Sequence, residues 1–327
     1  MRIAFASCLF TRVFGHQPVW DWIRAHEPDH LVLLGDLVYL DLKGPQDPRD
    51  MDDSAFAQHL LTLYQELLAQ PQFVALVRSL PPGAVHSIWD DHDFLWNNAC
   101  GAEVHPVHSV KLRCSTVLHE ALRRALALGL APGSFPATLA AANLQQPALA
   151  SQAALSTPSI ALPENTWLHL SDGRSHRTRT WLLAESKRTL FGRTQCEALG
   201  AAIQAVPQRA PAPVHLLASG STLGGYARYE RDWRWLTGLA AKHRLLVLSG
   251  DLHRNALDAF HTGGLPLHES TSSGAAVRDA VIVGASRQNF GLLDVHAHTV
   301  TTRLYKRNVL ELQRVLQRSS WLPVTLP

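Results

Sequence analysis

At 327 residues and 46% hydrophobic content, the chain is long enough to bury a large core, which excludes a disordered or fibrous protein. Charged residues make up only 17%, and 30 basic against 27 acidic side chains leave a formal +3. That balance excludes a nucleic-acid-binding patch and a membrane-surface protein on electrostatic grounds.

The chain opens on a short apolar run at 3–6, too brief for a secretory core and followed by no small-residue cleavage site. No stretch approaches the ~18 apolar residues of a membrane span. Four cysteines, Cys8, Cys100, Cys114 and Cys196, show no CxxC spacing, so a reducing, cytoplasmic address is expected. Further apolar runs at 30–34, 84–89, 180–184, 214–218 and 245–248 have the length and continuity of strands buried on both faces. Phe56, Leu60, Leu63, Tyr64 and Leu67 repeat with helical period behind a cap at Asp53 or Ser54 and ahead of a stop at Pro71. An Ala- and Pro-rich stretch at 131–163 reads as a surface insertion. Residues 166–170, the turn Ser171-Asp172-Gly173 and residues 177–183 then predict a β-hairpin. The tail at 290–306 alternates like a half-buried strand. These elements predict a layered α/β fold in one domain over 1–327.

The runs at 3–6, 30–34, 84–89 and 245–248 all end in polar clusters: Ser7-Cys8, Gly35-Asp36, Asp90-Asp91-His92-Asp93 and Ser249-Gly250-Asp251-Leu252-His253. An α/β sheet places its ligand crevice at the carboxyl ends of its strands, so the clusters are expected to converge. A convergent set of Asp, His, Asn, Tyr and Cys points first to a metal site. Three carboxylates around His92 repel one another unless a cation neutralises them. Asn97 and Asn98 add carbonyl oxygens suited to a hard ion. Asp251 and His253 offer one oxygen and one nitrogen on the same side of an extended segment. Gly35-Asp36 with Tyr39 would, alone, be a plain turn, and Cys8 alone a small core residue. His16, His105, His108 and His215 read singly as surface or core histidines.

In combination and order, Ala-Ser-Cys8, Leu-Gly-Asp36-Leu-Val-Tyr39, Trp-Asp-Asp91-His92-Asp93-Phe with Asn97-Asn98, and Leu-Ser-Gly-Asp251-Leu-His253 resemble the PhoD-like alkaline phosphatases, a branch of the calcineurin-like metallophosphoesterases. The resemblance spans about residues 3–306 and implies a four-layer α/β/β/α sandwich. It implies that Asp36 bridges the metals and that Cys8 and Tyr39 hold Fe³⁺ beside Ca²⁺, with Zn²⁺ or Mn²⁺ as alternatives. Asp91, Asn97, Asp251 and His253 would complete the shell. It further implies His92 as the acid at the leaving group, with Asp93 orienting it. Arg254 is the candidate grip on substrate phosphate, with Arg12 and Arg278 behind it. The Asp-x-Arg that such proteins usually carry is missing where it is expected, after a strand ending at Glu185. The expected activity is hydrolysis of a small-molecule phosphate ester. A metal-dependent hydrolase of another ester, or a non-catalytic metal- or phospholigand-binding protein, are the alternatives.

Overall fold

The computed structural model describes all residues except 105–106, 145–158, 179–182, 185–186, 280–285 and 325–327. The predicted runs at 3–6, 30–34, 84–89, 214–218 and 245–248 become strands of two mixed sheets. The first contains β1 (Arg2–Ala6), β2 (His30–Leu34), β3 (Val85–Ile88), β10 (Asn289–Val295), β11 (Thr299–Lys306), β12 (Val309–Gln317) and β13 (Leu322–Pro323), in the order β13-β12-β11-β10-β1-β2-β3. The second contains β4 (Ser159–Leu162), β5 (Thr166–Leu170), β6 (Val214–Ser219), β7 (Arg244–Ser249), β8 (Asn255–Phe260) and β9 (Leu267–Ser272), in the order β4-β5-β6-β7-β9-β8. Strands β1-β2-β3 run parallel, as do β5-β6-β7-β9, while the outer strands pair antiparallel. Parallel pairing sends the carboxyl ends of each central group to one side.

Alternate side chains of the two sheets meet each other. Ile3, Phe5, Val32, Leu34 and Ile88 share one buried cluster with Leu168, Leu170, Leu216, Ala218, Leu246 and Leu248. The opposite side chains, Ala4, Ala6, Leu31 and Leu33, pack with Trp20, Phe56, Leu60, Phe73, Leu118 and Leu122 of helices Val19–Ala25, Asp53–Leu68, Pro71–Ser79 and Ser109–Ala127. Leu217, Leu245 and Val247 pack against Leu199, Ile203, Leu236 and Leu239 of helices Arg193–Gln204 and Glu230–Ala240. Burial on both faces is why these strands are continuously apolar. Each such side chain contributes about 1.5–3 kcal/mol relative to exposure. None of the helices among the described residues is long and apolar enough to cross a membrane.

Three expectations change. The helix at 53–68 is capped by Asp52, whose Oδ1 accepts the Ala55 amide at 2.8 Å, and Pro71 does not merely stop it but opens the next helix at N1. The hairpin is displaced: β5 pairs with β4 across residues 163–165, in register Leu162↔Thr166. After Leu170 the chain turns into a loop because Asp172 Oδ1 accepts the amides of Arg174 and Ser175, both at 2.9 Å. Part of the expected return strand, and of the strand at 180–184, lies outside the described residues. The stretch at 131–163 therefore ends as an edge strand, and Phe135, Leu139 and Leu144 lean on the core. The tail is not one strand but β10 and β11, joined by a turn in which the His296 amide bonds Thr299 O at 2.9 Å, and it continues into β12 and β13.

Candidate metal centre

Strands β1, β2, β3 and β7 deliver Cys8, Asp36 with Tyr39, Asp90 to Asp93, and Asp251 with His253 to one place. The turns that do so are strained. Cys8 (φ 65°), Asp36 (φ 53°), Asp251 (φ 71°) and His253 (φ 49°) all adopt left-handed backbone, at a cost of about 1–2 kcal/mol per residue. Neighbouring loops hold them there: the Leu9 amide donates to Asp36 O at 2.7 Å, Ala276 N to Cys8 O at 3.1 Å and His253 N to Ser273 Oγ at 3.0 Å. The β2 and β3 ends can approach because Gly35 has φ +89° and a Cβ there would lie 2.5 Å from the Asp90 amide. Gly220 plays the same part after β6, where a Cβ would meet Asp90 Oδ1 at 2.5 Å.

The candidate ligands fall into three overlapping groups, Cys8-Asp36-His253, Asp36-Asp91-His92 and Asp36-Asp90-Asp251, each with its donor atoms within 4.8 Å of one another. Asp36 belongs to all three. It is buried, and its Oδ1 has no hydrogen-bond partner, nor do Asp90 Oδ2 and Asp91 Oδ1. Buried carboxylate oxygens without donors are uncommon. Burial, reinforced by Asp91, Asp90, Asp93 and Asp251, pushes the Asp36 carboxyl well above the usual range. Burial and the same crowd of anions push Asp251 up to about 7. Burial also raises the Cys8 thiol and the Tyr39 phenol. Orphaned oxygens, surplus negative charge and a mixed O/N/S donor set fit metal cations.

The Cys8 thiol lies 3.4 Å from Asp36 Oδ2, and Tyr39 Oη lies 3.3 Å from His253 Nε2, so these two predicted residues share one corner. Asp91 is buried, its Oδ2 accepting the Asn98 amide at 2.6 Å. Asn97 stands at the exposed rim, where its amide rather than its side chain makes the recorded contact, to Asp41 Oδ2 at 2.9 Å. Asp93 does not orient His92. Its Oδ1 accepts the amides of Leu37 and Val38 at 2.7 and 3.0 Å and its Oδ2 that of Asp90 at 3.1 Å, so it ties the β2 and β3 ends together. Arg254 is exposed beside His253, Arg278 is exposed, and Arg12 is engaged by Glu66 at 2.7 and 2.9 Å. His16 is exposed, His108 precedes a helix, His215 pairs with His169, and His105 lies outside the described residues.

Four residues at the site were not singled out from sequence. Asp41 Oδ1 holds His92 Nδ1 at 2.6 Å. Although burial opposes both shifts, this bond and the nearby charges raise the His92 pKa and lower that of Asp41. Asp90 joins Asp36 and Asp251. Arg174 is buried, its Nε 2.5 Å from Asp90 Oδ1 and Nη2 3.4 Å from Asp91 Oδ1. It belongs to Asp172-Gly173-Arg174 after β5, so an Asp-x-Arg does follow a strand, one earlier than expected. Arg287, half-buried, lowers the His253 pKa further after burial has done so, which places its charge near the site. Sequence signals for Asp90 and Asp41 existed in the acidic run and in Asp41's place five residues after Asp36. For Arg174 the signal was the Asp-x-Arg at 172–174, sought one strand too late, and Arg287 had none.

No protein-family model matches the chain, and no curated protein matches it. Among solved structures, one described as "Structure of PhoD" superposes with a TM-score of 0.64 at 14% identity, covering 99% of this chain and 71% of that one. At such low identity the likeness concerns architecture alone: the two mixed sheets and their helices form a PhoD-like fold.

Proposed function

We propose that the chain is a metal-dependent phosphoesterase, a single four-layer α/β/β/α domain that hydrolyses a small-molecule phosphate ester. The observation that carries this reading is Asp36, shared by three candidate ligand groups with one oxygen unpartnered, beside the half-buried His92–Asp41 pair. When bound, the ions supply Lewis acidity toward water and the phosphoryl oxygens. Asp36 would hold more than one ion. Cys8, Tyr39 and His253 would form one end of the shell, and Asp91, with Asn97 at the rim, the other. Asp41 accepts from His92 Nδ1, which leaves Nε2 to carry a proton to the departing oxygen. Arg287, whose charge acts on His253, and Arg254, exposed next to His253, are the candidates to grip phosphate. The metals that the PhoD-like resemblance implies are Fe³⁺ with Ca²⁺, with Zn²⁺ or Mn²⁺ as alternatives. A pure metal- or phospholigand-binding protein needs no acid dyad, so the His92–Asp41 pair favours turnover; a metal-dependent hydrolase of another ester is the nearer alternative.

The test is hydrolysis of nitrophenyl phosphate mono- and diesters by protein whose metals have been measured. Turnover that is lost with a chelator and restored by metal is expected. Metal-loaded protein inert toward phosphate esters but active on carboxylic esters would overturn the substrate class. Thiolate and phenolate donors to Fe³⁺ absorb visible light, so the aerobic protein should be coloured and Tyr39→Phe should shift or bleach the band. Colourless, active protein without iron would overturn the roles of Cys8 and Tyr39.

A further inference from the structure

Five buried or half-buried carboxylates, Asp36, Asp90, Asp91, Asp93 and Asp251, crowd the site; the guanidinium of Arg174 is lodged against Asp90 and Asp91, and the half-buried Arg177 adds a second positive charge nearby. Its position is built rather than adopted by a loose side chain. The Gly101 amide donates to Arg174 O at 2.9 Å, and a Cβ on Gly101 would collide with Ser175 O. Asp172 N bonds Gln195 Oε1 and Gln195 Nε2 returns the bond to Asp172 O, both at 2.8 Å, so the loop is locked onto the helix Arg193–Gln204. Buried behind Asp90 and Asp91, the guanidinium is shielded from solvent and from any substrate at the mouth. Arg174 Nη1 has no partner. A guanidinium cannot shed its proton, so this charge is permanent.

Of the three ligand groups, the guanidinium touches an oxygen of Asp90 in Asp36-Asp90-Asp251 and, more loosely, one of Asp91 in Asp36-Asp91-His92; it touches none in Cys8-Asp36-His253. A divalent ion drawn to Asp90 and Asp251 would sit against a fixed positive charge in a region without water to screen it. We propose that Arg174 is a resident cation that closes the Asp36-Asp90-Asp251 group, so that the chain loads metal on the other two groups. Arg174 is then a positioning residue that sets how many ions the site takes. This rests on the metal-dependent reading above and adds the stoichiometry to it.

The experiment counts metal. Wild type, Arg174→Met, Arg174→Lys and the double variant Arg174→Met/Asp90→Asn are dialysed against Ca²⁺ or Mn²⁺ and analysed by mass spectrometry for ions per chain. Arg174→Met should hold one ion more than wild type, while Arg174→Lys, which keeps the charge, and the double variant, which removes its target, should return to the wild-type count. The extra ion should also raise the melting temperature of Arg174→Met more steeply with added Ca²⁺ than that of wild type. A folded Arg174→Met with the wild-type count overturns the proposal. So does an Arg174→Met that stays unfolded at millimolar Ca²⁺ while the double variant folds, since the vacated charge would then not be met by metal. Wild-type protein that takes up no ion at all overturns the metal-dependent reading itself, a distinct outcome.

Discussion

Two regions of this molecule bury ionisable side chains, one along strands and one at strand ends, and they behave oppositely. On β5 and β6, His169 and His215 lie fully buried with Nε2 of one 3.0 Å from Nδ1 of the other, while Ser159 Oγ of β4 sits 2.8 Å from His169 Nδ1. Burial pushes their pKa values down to about 4 and about 3, so the rings are neutral and ask for no partner ion. At the strand ends, burial acts on carboxylates instead and pushes Asp251 up to about 7, and five such groups outnumber the guanidinium groups of Arg174 and Arg177 beside them. A histidine escapes burial by losing a proton it scarcely holds at neutral pH, whereas a crowd of carboxylates must gain protons or cations. A functional site is therefore marked less by buried polarity than by buried polarity of one sign. The histidines among the described residues illustrate it: His59, His86, His119, His169, His215 and His268 are buried outside the candidate ligand groups, and among the described residues only His92 and His253 join them.

The comparison breaks hardest at Asp36. Asp36→Asn keeps the shape but removes the charge common to all three ligand groups. We expect activity to fall to background and metal content to fall with it, while circular dichroism stays native. Full turnover with full metal content would remove Asp36 from the shared position. His92→Ala should lower turnover by roughly 10²–10⁴-fold at near-normal metal content. The loss should shrink for nitrophenolate leaving groups, which need little protonation. Asp41→Asn should reproduce that leaving-group dependence with a smaller loss of about 10–100-fold. Asp93→Asn should not, because Asp93 bonds backbone amides and its loss would appear as lowered thermal stability. If Asp93→Asn and not Asp41→Asn tracks His92→Ala, the orienting residue is Asp93 after all.

Much of this was legible in the sequence because strand ends leave a local signature. The apolar runs ending in Cys8, Asp36, Asp90 and Ser249 marked both the parallel strands and their convergence. What the sequence hid was contact between segments far apart in the chain. Asp93 looked like the partner of His92 because it is adjacent, yet neighbours at the start of a short helix point apart, and Asp41 reaches the ring from the β2 loop instead. Arg174 was missed for a related reason: its Asp-x-Arg motif was sought one strand later, and nothing in its neighbourhood announces that Asp90, 84 positions away, waits for it. The displaced hairpin had a third cause. The turn chemistry at 163–165 and at 171–173 is equally good, and only pairing between β4 and β5 decides which one makes the hairpin.

The smallest expected effect tests the quiet side of the comparison. His86, His119, His169 and His215 have folded-state pKa values lowered by burial to about 4, 3, 4 and 3, against an ordinary 6.5. Above pH 6.5 the rings are neutral in both the folded and the unfolded chain and cost nothing. As the pH falls below 6.5 the unfolded chain takes up protons that the folded chain refuses, so stability drops, and the drop ends only near the folded-state values. A ring that stays neutral contributes a loss of about 2–3 kcal/mol between pH 6.5 and 4.5. His215→Leu removes one such ring, so its denaturant-unfolding free energy should fall less steeply with acid than that of wild type over that window. Metal release on acidification affects both proteins and cancels in the difference between them. Parallel curves would mean that His215 already carries a proton in the folded chain, and that the histidine pair is no more neutral than the carboxylate cluster it was set against.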